Sequence, residues 1–277
     1  MNKQFIKLLA VASGVLFLTS CQKDLSSKQT DAMDLSANGK SDNGRSDDKT
    51  KTFYGPAVPM GQGVGKAWVT VDANGTPITL GVTLSAKAAL SQEDEEAAYT
   101  FQLPGQVAVP PFDHIELGWN PHGHEPAGTY DLPHFDLHYY MISPAYQATI
   151  PFLAPPAMDV QLPAKYTPPA YLFTPGLVPN MGAHIIDLLS PELNGQTFTK
   201  TFIYGSYKGN LIFLEPMFTT DYLTSLIAGP AAMPTAIRQP SAFQRAGYYP
   251  TSYTISYQTS PKEFVITLNN LTYHRAG

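Results

Sequence analysis

The stretch AWVTVDANGTPITLGVTL, residues 67–84, alternates apolar and polar side chains on both sides of a turn signal. Successive side chains of a strand point to opposite faces, so Val69 and Val71 share one face while Trp68 and Thr70 share the other. The Asn-Gly pair at residues 74–75 is the strongest short signal for a β-hairpin. The stretch therefore predicts two antiparallel strands and a domain that is mainly β.

The same order of elements recurs later in the chain. After the first hairpin, SAKAALSQ (85–92) predicts a short helix, and AYTFQLP (98–104) with FDHIELGW (112–119) predicts a second pair of strands. Residues 201–226 again predict strand, turn, strand and short helix, and residues 251–274 predict a closing pair of strands. An offset of 134 residues aligns Gly75 with Gly209, Ile78 with Ile212, Leu80 with Leu214 and Leu84 with Phe218.

Two interpretations of this recurrence stay open. Either hairpin–helix–hairpin repeats at 66–120 and 200–274 arose by duplication, with a histidine-rich segment inserted between the copies, or two hairpins match by chance. Under both interpretations we expect a mainly β fold with a few short helices. The strands would form a β-sandwich or a barrel-like structure.

The N-terminal residues have the features of an export signal. Residues 1–20, MNKQFIKLLAVASGVLFLTS, place Lys3 and Lys7 before an apolar run that is short for a membrane span. Cys21 is the only cysteine, and LTSC resembles the lipobox of bacterial lipoproteins, in which that cysteine is lipidated. The alternative is a free thiol. We therefore predict a signal peptide at 1–20 and an exported protein whose membrane contact is the lipid anchor.

The segment after Cys21 has the composition of a tether. Residues 22–51 contain no aromatic residue and no hydrophobic periodicity, so they bury too little apolar surface to offset their chain entropy. We predict a disordered tether over residues 21–52 and one mainly β domain over residues 53–277. QKD at 22–24 partly resembles the signal by which some Bacteroidetes lipoproteins reach the cell surface, and the periplasmic side of the outer membrane stays open as the alternative.

Charge and composition argue against nucleic acid as a partner. The chain carries 17 Lys and Arg against 22 Asp and Glu, whereas nucleic-acid binding requires a basic face. Charged residues make up 14% of the chain, against about a quarter of an average globular protein. With 25 Pro, 16 Tyr and 14 Phe, the composition is typical of a rigid exported β protein.

Four of the seven histidines lie in NPHGHEPAGTYDLPHFDLHYY, residues 120–140. On a strand, His134, Asp136 and His138 would share one face, and the apolar residues between them would share the other. Alternate residues on one face are about 7 Å apart at their Cα atoms, so at most two adjacent members of the polar trio can bind one metal ion. The pattern predicts a strand that packs one face and presents ligand-type groups on the other.

Further ligands would have to come from other segments. The His-x-His pair His122 and His124, the MGAHIID segment with His184 and Asp187, and Glu215 in FLEPM supply imidazole and carboxylate groups. Neutral imidazole suits Zn²⁺, Fe²⁺, Cu²⁺ or Ni²⁺, and a single cysteine argues against a thiolate zinc site. The candidate ligands of a divalent transition metal are therefore His122, His124, His134, Asp136, His138, His184 and Glu215.

Three functions fit these residues. A cell-envelope lipoprotein could bind a metal or a small ligand through them, and a cupin-like metalloenzyme would in addition keep one coordination position open. In a non-catalytic structural or stress-related envelope protein, the same side chains would instead form a buried hydrogen-bond network. The sequence contains no G-x-S-x-G, P-loop or H-E-x-x-H motif, so catalytic residues stay unassigned.

Three segments together resemble an uncharacterised family of exported bacterial proteins, whose structural prototype is a Thermus protein under extracytoplasmic sigma-factor control. They are WNPHGHEPAGTYDLPHFDLHYYM (119–141), MGAHIIDLLSPEL (181–193) and FTKTFIYGSYKGNLIFLEPMFTTDYL (198–223), and N-P-x-G-H-x-P and P-H-F-D-x-H are the characteristic motifs. The resemblance covers roughly residues 60–277. It implies secretion, a mainly β fold and a homo-oligomer, and it supplies no catalytic residues. Tyr139 stands where the motif often has phenylalanine.

Overall fold

The structure, a computed structural model, describes residues 49–277. The predicted signal peptide, Cys21 and nearly all of the predicted tether lie outside the described residues. The strands are β1 (Lys51–Tyr54), β2 (Val58–Met60), β3 (Gly63–Val71), β4 (Pro77–Ser85), β5 (Ala97–Gln102), β6 (His114–Asn120), β7 (His134–Tyr140), β8 (Tyr171–Phe173), β9 (Ala183–Asp187), β10 (Lys200–Tyr207), β11 (Asn210–Thr219), β12 (Thr235–Ala236), β13 (Gly247–Tyr249), β14 (Ser252–Thr259), β15 (Lys262–Asn269) and β16 (Thr272–His274). The α-helices are α1 (Ala86–Leu90), α2 (Pro144–Gln147) and α3 (Thr220–Ala228), and short 3₁₀ helices occur at Ala164–Tyr166 and Pro191–Asn194.

The first hairpin forms where the sequence predicts it. Strands β3 and β4 pair antiparallel, and Oδ1 of Asp72 accepts hydrogen bonds from the backbone nitrogens of Asn74 (2.9 Å) and Thr76 (2.8 Å). Gly75 adopts a φ of +82°, a left-handed conformation that glycine adopts without steric cost. The turn residues therefore determine the hairpin geometry, and with it the register of the two strands.

Two seven-stranded antiparallel sheets make up most of the domain. The first sheet has the order β1-β3-β4-β15-β14-β12, with β2 also paired to β3. The second sheet has the order β5-β6-β7-β11-β10-β9-β8, and β13 pairs with β16 in a small third sheet. Neither large sheet closes on itself within residues 49–277, so the predicted mainly β class is confirmed as a sandwich-like arrangement rather than a barrel.

The two large sheets use equivalent strands in the same order. Strands β1-β3-β4-β15-β14-β12 of the first sheet correspond to β9-β10-β11-β7-β6-β5 of the second. Along the chain, β1, β3, β4, α1, β5, β6 and β7 are followed by β9, β10, β11, α3, β12, β14 and β15 in the matching order. Each sheet therefore combines the first three strands of one half with the last three strands of the other half.

Strand register supports this correspondence at the level of single residues. The pairing of β3 with β4 skips Ile78, and the pairing of β10 with β11 skips Ile212, so a β-bulge lies at the two positions that the 134-residue offset aligns. Both bulged residues use their carbonyl oxygens in the same way, to accept a hydrogen bond from the chain just beyond the neighbouring strand. Phe135 pairs with Phe218 in the second sheet as Phe264 pairs with Leu84 in the first, and this fixes the alignment of β7 with β15.

The boundaries of the halves differ from the predicted repeats at 66–120 and 200–274. The hairpin–helix–hairpin order is present in both halves, but the histidine-rich strand β7 belongs to the first half rather than to an insertion. Its hairpin partner is β6. The sequence pattern did not predict this hairpin, because a long connection over residues 121–133 separates its two strands. Strand β1 also begins at Lys51, two residues before the predicted domain start.

The main core lies between the two sheets. It contains Val69 and Leu80 from the first sheet together with Phe135, Leu137 and Phe218 from the second, all of them fully buried. The opposite face of the second sheet is also covered, because chain from residues 121–133 and 141–199 packs across it in two smaller apolar clusters. All seven residues of β7 are consequently buried, although the strand is amphipathic. Among residues 49–277, no helix has both the length and the apolar character needed to cross a membrane.

Candidate metal centre

Strand β7 lies in the middle of the second sheet and carries both of the ligand groups described below. Its apolar residues Phe135 and Leu137 point into the main core, as the period-two pattern predicts. Its polar residues His134, Asp136 and His138 share the outer face, beneath the covering chain. Buried polar groups require partners, so the contacts of these three side chains indicate what the site can do.

The first group of candidate ligands consists of His124, His134 and Asp136. One potential ligand atom from each residue lies within 4.8 Å of the others. Nε2 of His124 is 3.2 Å from Oδ2 of Asp136, and Nε2 of His134 is 3.1 Å from Oδ1. Two ligand atoms that bind one tetrahedral ion at about 2.1 Å are about 3.4 Å apart, so the spacing in this group suits a single ion.

Backbone carbonyls determine which ring nitrogens of the first group carry a proton. Nδ1 of His124 lies 2.7 Å from the carbonyl oxygen of Glu125, and Nδ1 of His134 lies 2.7 Å from that of Leu132. Because a carbonyl only accepts, each Nδ1 donates, and Nε2 of each neutral ring presents a lone pair towards Asp136. Histidines that bind metals use the same arrangement, in which the other ring nitrogen donates to a carbonyl or carboxylate.

Burial makes the first group costly without a cation. The side chains of His134 and Asp136 are 0% and 6% exposed, whereas that of His124 is 38% exposed. Nε2 of His134 and Oδ1 of Asp136 have no hydrogen-bond partner among the described residues. An orphaned buried polar group costs about 1–3 kcal/mol, and a metal ion between the three residues would remove that cost. His124 would give the ion a route to solvent.

The charge of Asp136 attracts a positive charge to the first group. Burial disfavours the charged imidazole of His124, but the hydrogen bond and the charge of Asp136 outweigh burial and raise the pKa of His124. Burial also acts to raise the pKa of Asp136, but the neighbouring imidazoles of His124 and His134 outweigh it and hold that pKa below its usual range. Asp136 is therefore ionised, and the positive charge beside it is either a proton on an imidazole or a metal ion.

The second group consists of His138, His184 and Glu215, from strands β7, β9 and β11. Nε2 of His138 is 3.4 Å from Oε1 of Glu215, and Nε2 of His184 is 3.7 Å from Oε2. These three residues also place one potential ligand atom each within 4.8 Å of the others. Because His134 and His138 fall into different groups, the limit set by strand spacing holds, and no ion would bind all three polar residues of β7.

Charge in the second group behaves differently from charge in the first. Burial lowers the pKa of His138 to about 4, against a smaller opposing effect of Asp136. Burial and then the neighbouring His138 lower the pKa of His184 to about 3. Burial and the charge of Asp136 raise the pKa of Glu215 well above its usual range. Burial therefore favours the uncharged form of all three residues, and binding of a metal ion would favour the ionised carboxylate of Glu215 instead.

His122 lies outside both groups. Its side chain is 74% exposed, and its Nε2 lies 3.5 Å from Oδ1 of the exposed Asp94. His122 and His124 do not lie side by side, as the two histidines of a His-x-His pair would on a strand, because the chain turns between them. Gly123 makes this turn with a φ of +69°, and a Cβ at that position would overlap the carbonyl oxygen of Tyr130.

Asp187, the carboxylate that the sequence places beside His184, is also outside both groups. It forms an ion pair with Arg238, and its Oδ1 accepts a hydrogen bond from the backbone nitrogen of Leu189 at 2.9 Å. On β9 the side chains of adjacent strand positions alternate between faces, so Asp187 and His184 point to opposite faces of the strand. Glu215 supplies the carboxylate that His184 contacts instead.

Three residues around the first group were not singled out by the sequence. Nδ2 of Asn120 donates a hydrogen bond to Oδ2 of Asp136 at 2.8 Å. The Tyr130 ring lies 5.7 Å from that of His124, and the Phe198 ring lies 5.3 Å from that of His134. The first position of the N-P-x-G-H-x-P motif is the one sequence signal for Asn120, and Phe198 has none because it belongs to a connection without periodicity.

A cavity of about 420 Å³ lies beside residues that contact His134, and none of the three candidate ligands of the first group lines it. Leu132 and Phe198 line the cavity, and both residues also contact His134, through its Nδ1 hydrogen bond and through ring packing. Asp131 and Glu192 add two carboxylates to the cavity walls. The cavity therefore offers room for a small molecule next to the residues that hold His134 in place.

Each group has two imidazoles and one carboxylate. This set occurs in catalytic zinc sites and in the facial triads of non-haem iron sites, where water or substrate completes the coordination. The structure therefore contains two buried His/Asp/Glu groups that could each hold a divalent metal ion. An ion in the first group would be reachable from solvent through His124, and it could act as a Lewis acid or bind a small ligand.

No family model matches the chain, and no curated protein or solved structure matches it in the comparisons with known proteins. The resemblance to an exported bacterial family, drawn from three sequence segments, therefore stays a prediction. The geometry of the two ligand groups is the feature of the molecule that points most directly to a function. That indication comes from the chemistry of the ligand atoms and not from similarity to known proteins.

Proposed function

We propose that this protein is an exported lipoprotein whose β-sandwich binds a divalent transition metal through His124, His134 and Asp136. The observation that carries the proposal is the convergence of bare ligand atoms in a buried place. Nδ1 of both imidazoles donates to a backbone carbonyl, so Nε2 of each ring faces the ionised carboxylate of Asp136 and is the atom that a cation would occupy. Lone pairs at 3.1 and 3.2 Å from carboxylate oxygens repel unless a cation lies between them or on the ring.

The first sheet supplies an internal comparison that supports the proposal. In the equivalent strand β15, Glu263 and Val265 occupy the positions of His134 and Asp136. The sandwich thus forms without a buried imidazole and carboxylate at these positions, and burying such groups costs free energy unless they are paired. Their presence in β7 is better explained by a ligand than by the requirements of the fold.

Zn²⁺ and Fe²⁺ are the ions that suit two imidazoles and one carboxylate best. Cu²⁺ and Ni²⁺ share the preference for imidazole, and geometry with metal supply decides among the four in a cell. A buried hydrogen-bond network without metal is the competing function. It is favoured by the hydrogen bond from Asn120 to Asp136 and by the pairing of His124 with Asp136.

Metal content separates the two functions. The full chain, purified in detergent without a histidine tag or chelator, is expected to contain metal by elemental analysis and to bind added Zn²⁺. His124→Ala should weaken binding at the first group by more than about 100-fold, since even loss of a ligand's hydrogen-bond partner costs about 10–100-fold. The matched control is His122→Ala, two residues away and exposed, which should bind as the wild type does.

Two results would contradict the metal function of the first group. The first is equal metal binding by wild type and His124→Ala, since one of three ligands would then be dispensable. The second is a wild-type chain that stays free of metal after incubation with Zn²⁺, Fe²⁺, Cu²⁺ and Ni²⁺. In that case the first group would be a hydrogen-bond network, and the aromatic surface of the domain would become the place to look for partners.

The membrane part of the proposal concerns Cys21, which lies outside the described residues. In the proposal its thiol carries the lipid, and the chain that follows connects the domain to the envelope membrane, as the LTSC motif indicates. Cys21→Ser is expected to move the protein from the membrane fraction to the soluble fraction after cell fractionation. A variant that stays wholly with the membrane would contradict lipid anchoring at this cysteine.

A further inference from the structure

The second group joins the two halves of the chain across the centre of the second sheet. His138 lies on β7, which belongs to the first half, whereas His184 and Glu215 lie on β9 and β11 of the second half. Strands β7 and β11 are neighbours, and Glu215 contacts His138 directly across that junction. An ion bound here would therefore connect segments that only folding brings together.

A glycine on the intervening strand lets an aromatic ring pack between the ligand residues of the second group. Strand β10 lies between β9 and β11, and its residue opposite His184 is Gly205. A Cβ on Gly205 would overlap the ring of Phe213, which packs against both His138 (4.8 Å between centroids) and His184 (5.6 Å). The glycine thus makes room for the Phe213 ring, which lies over β10 and packs against both imidazoles of the second group.

The polar atoms of the second group lack partners to an unusual degree. The side chains of His138 and Glu215 are 1% and 2% exposed. Nδ1 and Nε2 of His138 and Oε2 of Glu215 have no hydrogen-bond partner among the described residues. Three orphaned buried atoms in one place are exceptional in a native protein and require a reason such as an ion.

The nearby His114 is a buried histidine with a structural role, and its hydrogen bonds can be compared with those of His138. It is also 1% exposed and lies on β6, beside β7, yet both of its ring nitrogens have partners. Nδ1 is 3.0 Å from Asp113, and Nε2 is 3.0 Å from Gln147. A buried imidazole needs hydrogen bonds of this kind in order to be stable, and neither ring nitrogen of His138 makes one among the described residues.

The first sheet again shows that the fold does not need these residues. Its equivalents of His184, Glu215 and His138 are Thr52, Gly81 and Thr267. None of the three is a strong metal ligand, and the Thr52 hydroxyl is satisfied by the Thr70 hydroxyl at 2.8 Å. The two imidazoles and the carboxylate occur together in the second sheet and not at the equivalent positions of the first. This is expected if they form a binding site and not if the fold itself requires them.

We infer that His138, His184 and Glu215 form a second, separate site for a divalent transition metal, which bridges the two halves of the chain. Asp136 and His138 are alternate residues of β7, so their Cα atoms lie about 7 Å apart, and no residue belongs to both groups. The second site does not depend on the first. Because its ligands are less exposed than His124, its ion should exchange more slowly with solvent.

Counting bound Zn²⁺ in three chains tests this inference. Full-length wild type, Asp136→Asn and Glu215→Gln are loaded with Zn²⁺, freed of excess ion, and exposed to a chelator while released Zn²⁺ is followed over time. We expect two equivalents in the wild type, one released quickly and one slowly. Asp136→Asn should keep only the slow equivalent and Glu215→Gln only the fast one, because each variant lacks the carboxylate of one site.

The outcomes separate failure of this inference from failure of the proposed function. If Glu215→Gln retains both equivalents, the second site does not exist, whatever Asp136→Asn does. If Asp136→Asn retains both, the first site does not exist and the second is judged by Glu215→Gln alone. His184→Gln, at a more exposed ligand, replaces Glu215→Gln if that variant does not fold. The matched control is His114→Gln, a buried histidine whose loss should leave both equivalents in place.

Discussion

Truncation of Phe135 to alanine is expected to lower the free energy of unfolding by about 3–5 kcal/mol, the usual loss when a buried aromatic ring is removed. Phe135 is fully buried in the main core. Its ring packs 4.7 Å from that of Trp119 and 5.8 Å from that of Phe218. The change would leave a cavity between the two sheets that rigid neighbouring strands cannot fill. Chemical denaturation followed by tryptophan fluorescence measures the loss.

The same variant should bind Zn²⁺ as the wild type does, for as long as it is folded. Phe135 lies between His134 and Asp136 in sequence, but its side chain occupies the opposite face of β7. The control is Phe152→Ala, at a ring that is 67% exposed, which should change stability by less than about 0.5 kcal/mol. A loss below about 1 kcal/mol for Phe135→Ala would mean that the two sheets do not pack through this strand.

Strand β7 shows which structural features sequence periodicity can predict and which it cannot. The alternation of apolar and ligand-type residues in residues 134–140 correctly predicts which side chains share a face, because that follows from strand geometry alone. It does not predict that the polar face is buried. The covering chain, residues 121–133 and 141–199, is rich in proline and has no hydrophobic periodicity, so its position over the sheet depends on packing that a local pattern does not encode.

Ligands from distant strands were predicted as residue types but not as a group. That His184 lies near Glu215 depends on the order β9-β10-β11, and the Phe213 ring that packs against His184 depends on the absence of a side chain at Gly205. Neither feature leaves a periodic signal in the sequence, because strand partners are chosen by long-range packing. His122 lies outside both groups for a related reason, since the imidazoles of a His-x-His pair point the same way on a strand but not across a turn such as the one at Gly123.

The sequence offset aligns the local features that the two halves share, but it does not indicate which half strand β7 belongs to. Turns at Gly75 and Gly209 and the matching bulges at Ile78 and Ile212 are local features, and the sequence offset aligns them. The hairpin of β6 and β7 is joined by residues 121–133, whereas its equivalent of β14 and β15 is joined by two residues. This long connection carries His124 and Tyr130, so the departure from symmetry coincides with the candidate metal centre.

Zn²⁺ at about 1,000 times its dissociation constant is expected to stabilise the folded wild-type domain by about 4.1 kcal/mol for each site that it fills. The ligands of both groups come from separate segments, and only the folded chain brings them together. For a domain of about 225 residues, 4.1 kcal/mol corresponds to a rise in Tm of roughly 8–16 °C. Thermal unfolding with and without Zn²⁺, in a buffer without chelator, measures the rise.

The difference in stability between Glu215→Gln and the wild type is expected to change sign when Zn²⁺ is added. Without metal, this variant is expected to be no less stable than the wild type, because Oε2 of Glu215 makes no hydrogen bond among the described residues that the amide would lose. With Zn²⁺ it should be less stable than the wild type, because it gains nothing at the second group. If the double variant Asp136→Asn/Glu215→Gln is stabilised by Zn²⁺ as much as the wild type, the ion binds elsewhere on the chain. If Glu215→Gln is strongly destabilised without metal, Glu215 serves the fold itself rather than an ion.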